Sequence, residues 1–286
     1  MVYQINQEIC IQCGQCAPDC PAHAIQQDQE SGHYEILAGR CILCSHCACL
    51  CPMNAVEDDA GIPFEEWENP NLDSEAIYSF LAGKRSVRQY QDREIPREVL
   101  EQMIAVGELT ATASNAQDWH TTIVLTPEKK SLIVHAAQKL QSLFCGLLQN
   151  PAGRKLAKLV PEGRAYLQDP HVMDKIQAMA ASLKTGEDWI LYSAPVVVIL
   201  STDKTSALGS ANSVLAAEAM MYYLQANGIG SCYIGFAQMA LNRSKNLGAK
   251  LGIPPNEKVH AVFSCGYSKV KYRRLPHRKK MPVNYV

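Results

Sequence analysis

From residue 74 onward the hydrophobic positions alternate between two periods. "EAIYSFLA" follows Ser74, a capping residue, and is stopped by Gly83, which predicts a short helix. In "PREVLEQMIAVGEL" (96–109), a proline in the first turn and apolar residues at Val99, Leu100, Met103 and Ile104 predict a second helix. "TTIVLT" (121–126) reads as a strand. Residues 127–149 repeat apolar positions every three to four and predict a long helix, and 150–190 reads as largely helical. "PVVVILS" (195–201) is an unbroken β-branched run, the pattern of a strand buried on both faces. "SANSVLAAEAMMYYLQANG" (210–228) is a strongly apolar helix ended by Gly228, and "KVHAVFSCGYS" (258–268) is a closing core strand. "GIGSCYIGF" (228–236) reads as a glycine-rich loop that brings backbone N–H groups against a flat ligand. Before residue 74 neither period holds. The acidic, proline-broken stretch "EDDAGIPFEEWENPNLDSE" (57–75) reads as a connection. The expected fold class is α+β, with a small domain over 1–60, a linker over 61–75 and a larger domain over 76–286 built on a mixed central sheet flanked by helices.

Cysteine usage changes the picture of the small domain. The chain has 12 cysteines, and nine of them lie within the first 51 residues. "MVYQINQEIC" lacks the basic start and apolar core of a secretion signal, and the longest apolar run, "ILYSAPVVVIL" (190–200), is too short to span a bilayer. A cytoplasmic protein is expected, with no membrane partner, and disulfides are not the use of these thiols in a reducing compartment. Residues 10–25 align with 41–56 at a period of 31, with eight identities in sixteen positions, among them Cys10/Cys41, Cys13/Cys44, Cys16/Cys47, Cys20/Cys51 and Pro21/Pro52. Structural zinc takes two C-x2-C pairs across a longer stretch, which this spacing does not offer. C-x2-C-x2-C-x3-C-P is the run that binds [4Fe–4S] clusters. Residues 1–60 thus resemble a bacterial two-cluster ferredoxin. That resemblance implies that the fourth cysteine of each run serves the other cluster: Cys10, Cys13, Cys16 and Cys51 for one, Cys41, Cys44, Cys47 and Cys20 for the other. Cys49, in the slot of Pro18, is expected as a small buried thiol, and Cys145 as core.

Charge separates the two parts. The whole chain carries −1, which gives no argument for nucleic acid, yet residues 1–60 hold one basic residue, Arg40, against eight acidic ones, a net −7. The larger domain holds three stretches with chemistry. "KRSVRQY" (84–90) gathers three cations and a hydroxyl, suited to a phosphate. "SNAQDWH" (114–120) places amides at Asn115 and Gln117, suited to the carbonyl and imide edge of a heterocycle. "GIGSCYIGF" is the third. In this order, and with the closing "GY" at Gly266–Tyr267 and the basic tail "KVKYRRLPHRKK" (269–280), they resemble the nitroreductase family of flavoenzymes over roughly 76–286. Asp118 stands where that family commonly has proline, Ala111-Thr112 replaces its usual proline-serine, and Cys232 lies close to the flavin loop.

The resemblance implies a homodimer with FMN at the subunit interface. By matched position, Lys84, Arg85, Ser86 and Arg88 would hold the phosphate and ribityl chain, and Asn115 and Gln117 would lie near the isoalloxazine. Ile234 and Gly235 would bring a backbone N–H to flavin N5, and Arg274 and Arg278 would add a second phosphate contact. The expected function is an iron–sulfur flavoprotein oxidoreductase. Electrons pass through two [4Fe–4S] clusters to FMN, which reduces a nitroaromatic, a quinone or an activated alkene by hydride transfer from N5. Reduced ferredoxin or NAD(P)H is the donor, and residues 150–190 form a lid over the substrate pocket. His120, Tyr192 and Tyr233 are possible proton donors, each also readable as structural. The alternative is a non-enzymatic electron carrier serving a partner protein.

Overall fold

A computed structural model describes residues 2–159 and 161–286. By contacts the chain divides into two units: 1–73 together with 111–117, and 74–110 together with 118–286.

The first unit is small and built twice. β1 (Tyr3–Ile5) pairs antiparallel with β4 (Val56–Asp58), and β2 (Ile25–Gln27) with β3 (Tyr34–Ile36). Two single-turn helices, α1 (Cys16–Asp19) and α2 (His46–Cys49), sit inside the cysteine runs. The 31-residue period extends to the backbone. Left-handed φ values recur at Gln12 (55°) and Leu43 (55°), at Gly14 (71°) and Ser45 (62°), and at His23 (48°) and Asn54 (51°). A Cβ at Gly14 would also lie 2.5 Å from the Tyr34 hydroxyl, so that turn excludes a side chain. The apolar core is small: Tyr3, Ala48 and Val56 cluster with Ile5, Ile36 and Leu43 against them, and Ala24, Ile25 and Ala55 are also buried. Such a core is thin for independent stability, a situation that metal sites commonly relieve.

The second unit is a four-stranded sheet in the order β5 (His120–Val124), β6 (Val196–Asp203), β8 (Glu257–Tyr267), β7 (Ile229–Tyr233), with antiparallel pairings. A parallel bridge from Ser86 to Ser231 makes it mixed at the β7 edge. The unbroken run in β6 feeds both faces: Val197 and Ile199 join one core, Val196, Val198 and Leu200 the other. The first core is covered by α5 (Pro127–Gln149), α10 (Gly235–Arg243) and α11 (Lys245–Leu251), the second by α4 (Arg97–Glu108) and α9 (Gly209–Ala226). α3 (Ser74–Ala82) buries no residue. α6 (Pro151–Ala157), α7 (Pro161–Leu167) and α8 (Val172–Ser182) fill the span expected as a lid, of which Val160 lies outside the described residues. They pack on the end of α5 through a satellite core of Cys145, Leu148, Val172 and Ile176.

Two expectations are corrected. "GIGSCYIGF" is not a loop: residues 229–233 are β7, and only Gly228 takes a left-handed φ, 70°. The reason is packing, since a Cβ at Gly230 would fall 2.4 Å from Val87 Cγ2; this glycine admits a neighbouring chain instead of turning its own. Cys49 is exposed, whereas Cys145 is buried. α2 turns Ala48 inward, which leaves its neighbour Cys49 on the outer side of that single turn.

Candidate cofactor sites

In the first unit the cysteines gather in two cavities. Cys10, Cys13, Cys16 and Cys51 line one, walled by Ile5 and Tyr34, and Cys20, Cys41, Cys44 and Cys47 line the other, walled by Tyr3 and Ile36. Matching backbone N–H groups point at sulfur: Ala24 to Cys20 Sγ and Ala55 to Cys51 Sγ, both 3.3 Å. Among the described residues no group of three or more His, Cys, Asp or Glu converges on a point that one metal ion could occupy. A single zinc would need sulfurs about 2.3 Å from a common centre. Thiols spread around a cavity, with amides aimed at sulfur, suit a larger polynuclear cluster. Burial pushes the Cys47 thiol up to about 11, and the neighbouring charges of Cys41 and Cys44 add to it. Burial likewise raises Cys16, with Cys10, Cys13 and Cys51 contributing and a backbone hydrogen bond opposing.

In the second unit two of the three stretches meet. Val87 N–H donates to Ser231 O (2.9 Å), which lays 84–90 along β7. Ser86 and Arg88 are exposed there, beside Cys232 and Tyr192. The Arg88 guanidinium lies 5.7 Å from the Tyr192 ring. Burial raises the Cys232 thiol, opposed by the Arg88 charge and by hydrogen bonds from Ser86 and Arg88. β7 leads through buried Ile234, whose N–H donates to Val262 O (2.7 Å), into α10. Gly235 opens that helix, is exposed, and has nothing within 4 Å of where a Cβ would stand. Ser86 and Arg88 thus stand exposed beside one end of β7, and three residues past Cys232 the chain opens α10 at an exposed glycine. Cys232, noted beside the glycine-rich stretch, and Tyr192, one of the possible proton donors, join this group; Tyr192 arrives on a turn (φ 57° at Tyr192, 53° at Ser193) in which Asp188 accepts from the N–H groups of Ile190, Leu191 and Ser193.

Other expected residues are engaged elsewhere. Lys84 Nζ lies 2.6 Å from Glu218 Oε2 and 4.7 Å from the Tyr222 ring centroid. Arg85 donates to the carbonyls of Ala82 (2.8 Å), Lys84 (2.6 Å) and Arg274 (3.0 Å), so it ties the chain to its tail. Arg274 and Arg278 are exposed on that tail. Asn115 and Gln117 belong to the first unit, where the Asn115 amide bonds the carbonyls of Ile42 and Leu43. The departure at Asp118 has a local account: although burial opposes it, hydrogen bonds from Ser206 and Asn212 hold this carboxyl below its ordinary value. Of the possible proton donors, His120 Nδ1 pairs with Glu257 Oε2 at 3.0 Å, and the Tyr233 hydroxyl donates to His260 O at 2.7 Å.

Comparison with known proteins places the two parts of the chain. The Nitroreductase family model matches residues 81–267, and the 4Fe-4S dicluster domain matches residues 9–55. Nitroreductase NfnB of Mycolicibacterium smegmatis is 25% identical over 213 residues, covering 70% of this chain and 86% of that protein. Iodotyrosine deiodinase of Haliscomenobacter hydrossis is 32% identical over 80 residues, a match that spans only 36% of its own length and 28% of this chain. A nitroreductase with bound FMN from Bacteroides fragilis shares the fold at a TM-score of 0.51 and 19% identity, covering 73% of this chain and 98% of that one. No helix among the described residues is long and apolar enough to cross a membrane. The chain belongs to the nitroreductase family and carries a 4Fe-4S dicluster domain ahead of its nitroreductase domain.

Proposed function

We propose that the chain is an iron–sulfur flavoprotein oxidoreductase that reduces a small organic acceptor. The observation that carries this reading is the pair of four-cysteine cavities in a chain whose other unit is a nitroreductase domain. Cys10, Cys13, Cys16 and Cys51 would hold one [4Fe–4S] cluster, and Cys20, Cys41, Cys44 and Cys47 a second. Bound clusters supply single electrons, and bound FMN converts single-electron supply into two-electron reduction. Around the flavin, exposed Arg88 and Ser86 would anchor the phosphate and ribityl chain by charge-assisted hydrogen bonds, with the tail residues Arg274 and Arg278 as further cations. Ile234 and Gly235 would present backbone to the ring, since Gly235 has no side chain to block a plane.

The names of the relatives support a nitroaromatic as the first acceptor to test, with quinones and activated alkenes next. The helices α6 to α8, which pack on α5 through a satellite core apart from the sheet, would cover the acceptor. A homodimer is supported by α3, which exposes Ile77, Tyr78 and Leu81, and by Val214 and Leu215 exposed on α9. The test is anaerobic steady-state turnover of a nitroaromatic by the holoprotein with reduced ferredoxin, and separately with NADH and NADPH. Sustained acceptor reduction with at least one donor is expected. Redox cycling of clusters and flavin without turnover of any small acceptor would instead mark an electron carrier.

A further inference from the structure

The two cysteine runs repeat one another in sequence and in backbone, yet one contact breaks the repeat. In the second run the N–H of Leu43 points at Cys41 Sγ, 3.4 Å away. Among the described residues no equivalent donation from Gln12 to Cys10 is found, although Gln12 and Leu43 share the same left-handed φ of 55°. The Leu43 N–H belongs to the Ile42–Leu43 peptide, and the other end of that peptide, Ile42 O, accepts from Asn115 Nδ2 at 3.1 Å. The same nitrogen donates to Leu43 O at 2.8 Å. Both groups facing it are carbonyl oxygens, so the amide can present only its NH2 to them. Its oxygen is occupied as well, accepting from Gln117 Nε2 at 2.8 Å, and the turn is closed by Gln117 N–H on Thr112 Oγ1 at 3.1 Å. Asn115 and Gln117 are left-handed (φ 52° and 44°), a conformation that persists where the surrounding contacts impose it.

We propose that Asn115 is a positioning residue for the cluster held by Cys20, Cys41, Cys44 and Cys47. It clamps the Ile42–Leu43 peptide with its N–H on Cys41 Sγ and so sets that cluster's reduction potential above the value it would otherwise have. Two physical effects act in the same direction. The clamp fixes the peptide plane, and a hydrogen bond to a carbonyl polarises the N–H of the same amide, which strengthens its donation. Hydrogen bonds to cluster sulfurs stabilise the more negative, reduced state. The inference rests on the reading that each cavity holds a four-iron cluster.

The test is an EPR-monitored redox titration of the anaerobic holoprotein, with the two signals assigned from the Cys13→Ser and Cys44→Ser proteins. Asn115→Gly removes the amide and keeps a residue suited to positive φ. Asn115→Asp keeps the shape and removes the donor, and Gln117→Glu adds the same charge close by with the clamp in place. Asn115→Gly is expected to make reduction of the second-run cluster about tenfold less favourable, about 59 mV for one electron, with the first-run cluster unmoved. Asn115→Asp is expected to shift it further than Gln117→Glu does. Equal shifts in both clusters overturn the proposal, as does an unmoved second-run cluster in Asn115→Gly. Should Asn115→Gly fail to fold, an Asn115→Asp shift no larger than that of Gln117→Glu overturns it. Loss of FMN with unmoved cluster potentials would return Asn115 to a flavin role and equally overturn it. Failure of the underlying reading shows separately, as fewer than two clusters in the unmodified protein.

Discussion

The two units hold their candidate sites by opposite means. In the first, cysteines at fixed spacing line both cavities, around a small core of few buried side chains. In the second, the candidate site gathers exposed Arg88 and Ser86 beside Cys232 across a bridge between distant segments, on a sheet with a core on each face. The first site therefore depends on its ligand for its own stability, whereas the second is a surface feature of a scaffold that stands without it. Substitutions in the first should change metal content and fold together, and those in the second should change affinity alone.

The largest break in that comparison is expected from Cys20→Ala. Cys20 lines the cavity of Cys41, Cys44 and Cys47, so the loss falls on the opposite run. About half of the roughly eight irons per chain should go, with an EPR signal lost and flavin content kept. Loss of the Cys10, Cys13 and Cys16 signal instead would contradict the cavity assignment. Next comes Arg88→Ala. A charge-assisted hydrogen bond to phosphate is typically worth about 1.5–3 kcal/mol, so the FMN dissociation constant should rise about tenfold to a hundredfold. Arg85→Ala sharpens the point, because Arg85 serves three backbone carbonyls. It should lower thermal stability by about 1–3 kcal/mol, measured by calorimetry, and weaken FMN less than Arg88→Ala does.

Smaller effects separate scaffold from site. Gly235→Val meets open space in the protein itself and should leave thermal stability unchanged, while its side chain would stand where a flat ring approaches. Its flavin affinity, read by fluorescence titration, should fall several-fold. Lys84→Met should have the least consequence for flavin. Lys84 and Glu218 are 21% and 41% exposed, and such a pair is worth at most about 1 kcal/mol of stability. A large loss of FMN on Lys84→Met would move the phosphate contact back to that residue.

Much of this was legible in the sequence, for reasons that differ by residue. α5 begins and ends where its pattern does, at Pro127 and Gln149, because a proline start and a steady apolar repeat are local signals. β6 was readable from β-branched residues that face a core on each side. Spacing groups the three closely set cysteines of each cavity, whereas the exchange of Cys20 and Cys51 between cavities is what the ferredoxin resemblance implied. β7 was misread because Gly228, Gly230 and Gly235 look like a turn, while the need for Gly230 arises from Val87, far away in sequence. α10 and α11 went unannounced, being short helices whose apolar residues, such as Ala237 and Leu247, pack on a core built from elsewhere. Arg85 and Arg88 look alike within "KRSVRQY", and only tertiary geometry shows that one holds carbonyls and the other stands exposed beside Cys232.

The central claim, that two iron–sulfur clusters and a flavin work in one chain, is tested most directly by counting electrons. The anaerobic, oxidised holoprotein is titrated with dithionite while visible absorption and EPR are followed. One electron for each cluster and two for FMN predict about four electron equivalents per chain, with flavin bleaching and two interacting cluster signals in the same titration. An endpoint at about two equivalents, with either the flavin change or the cluster signals absent, would contradict the account.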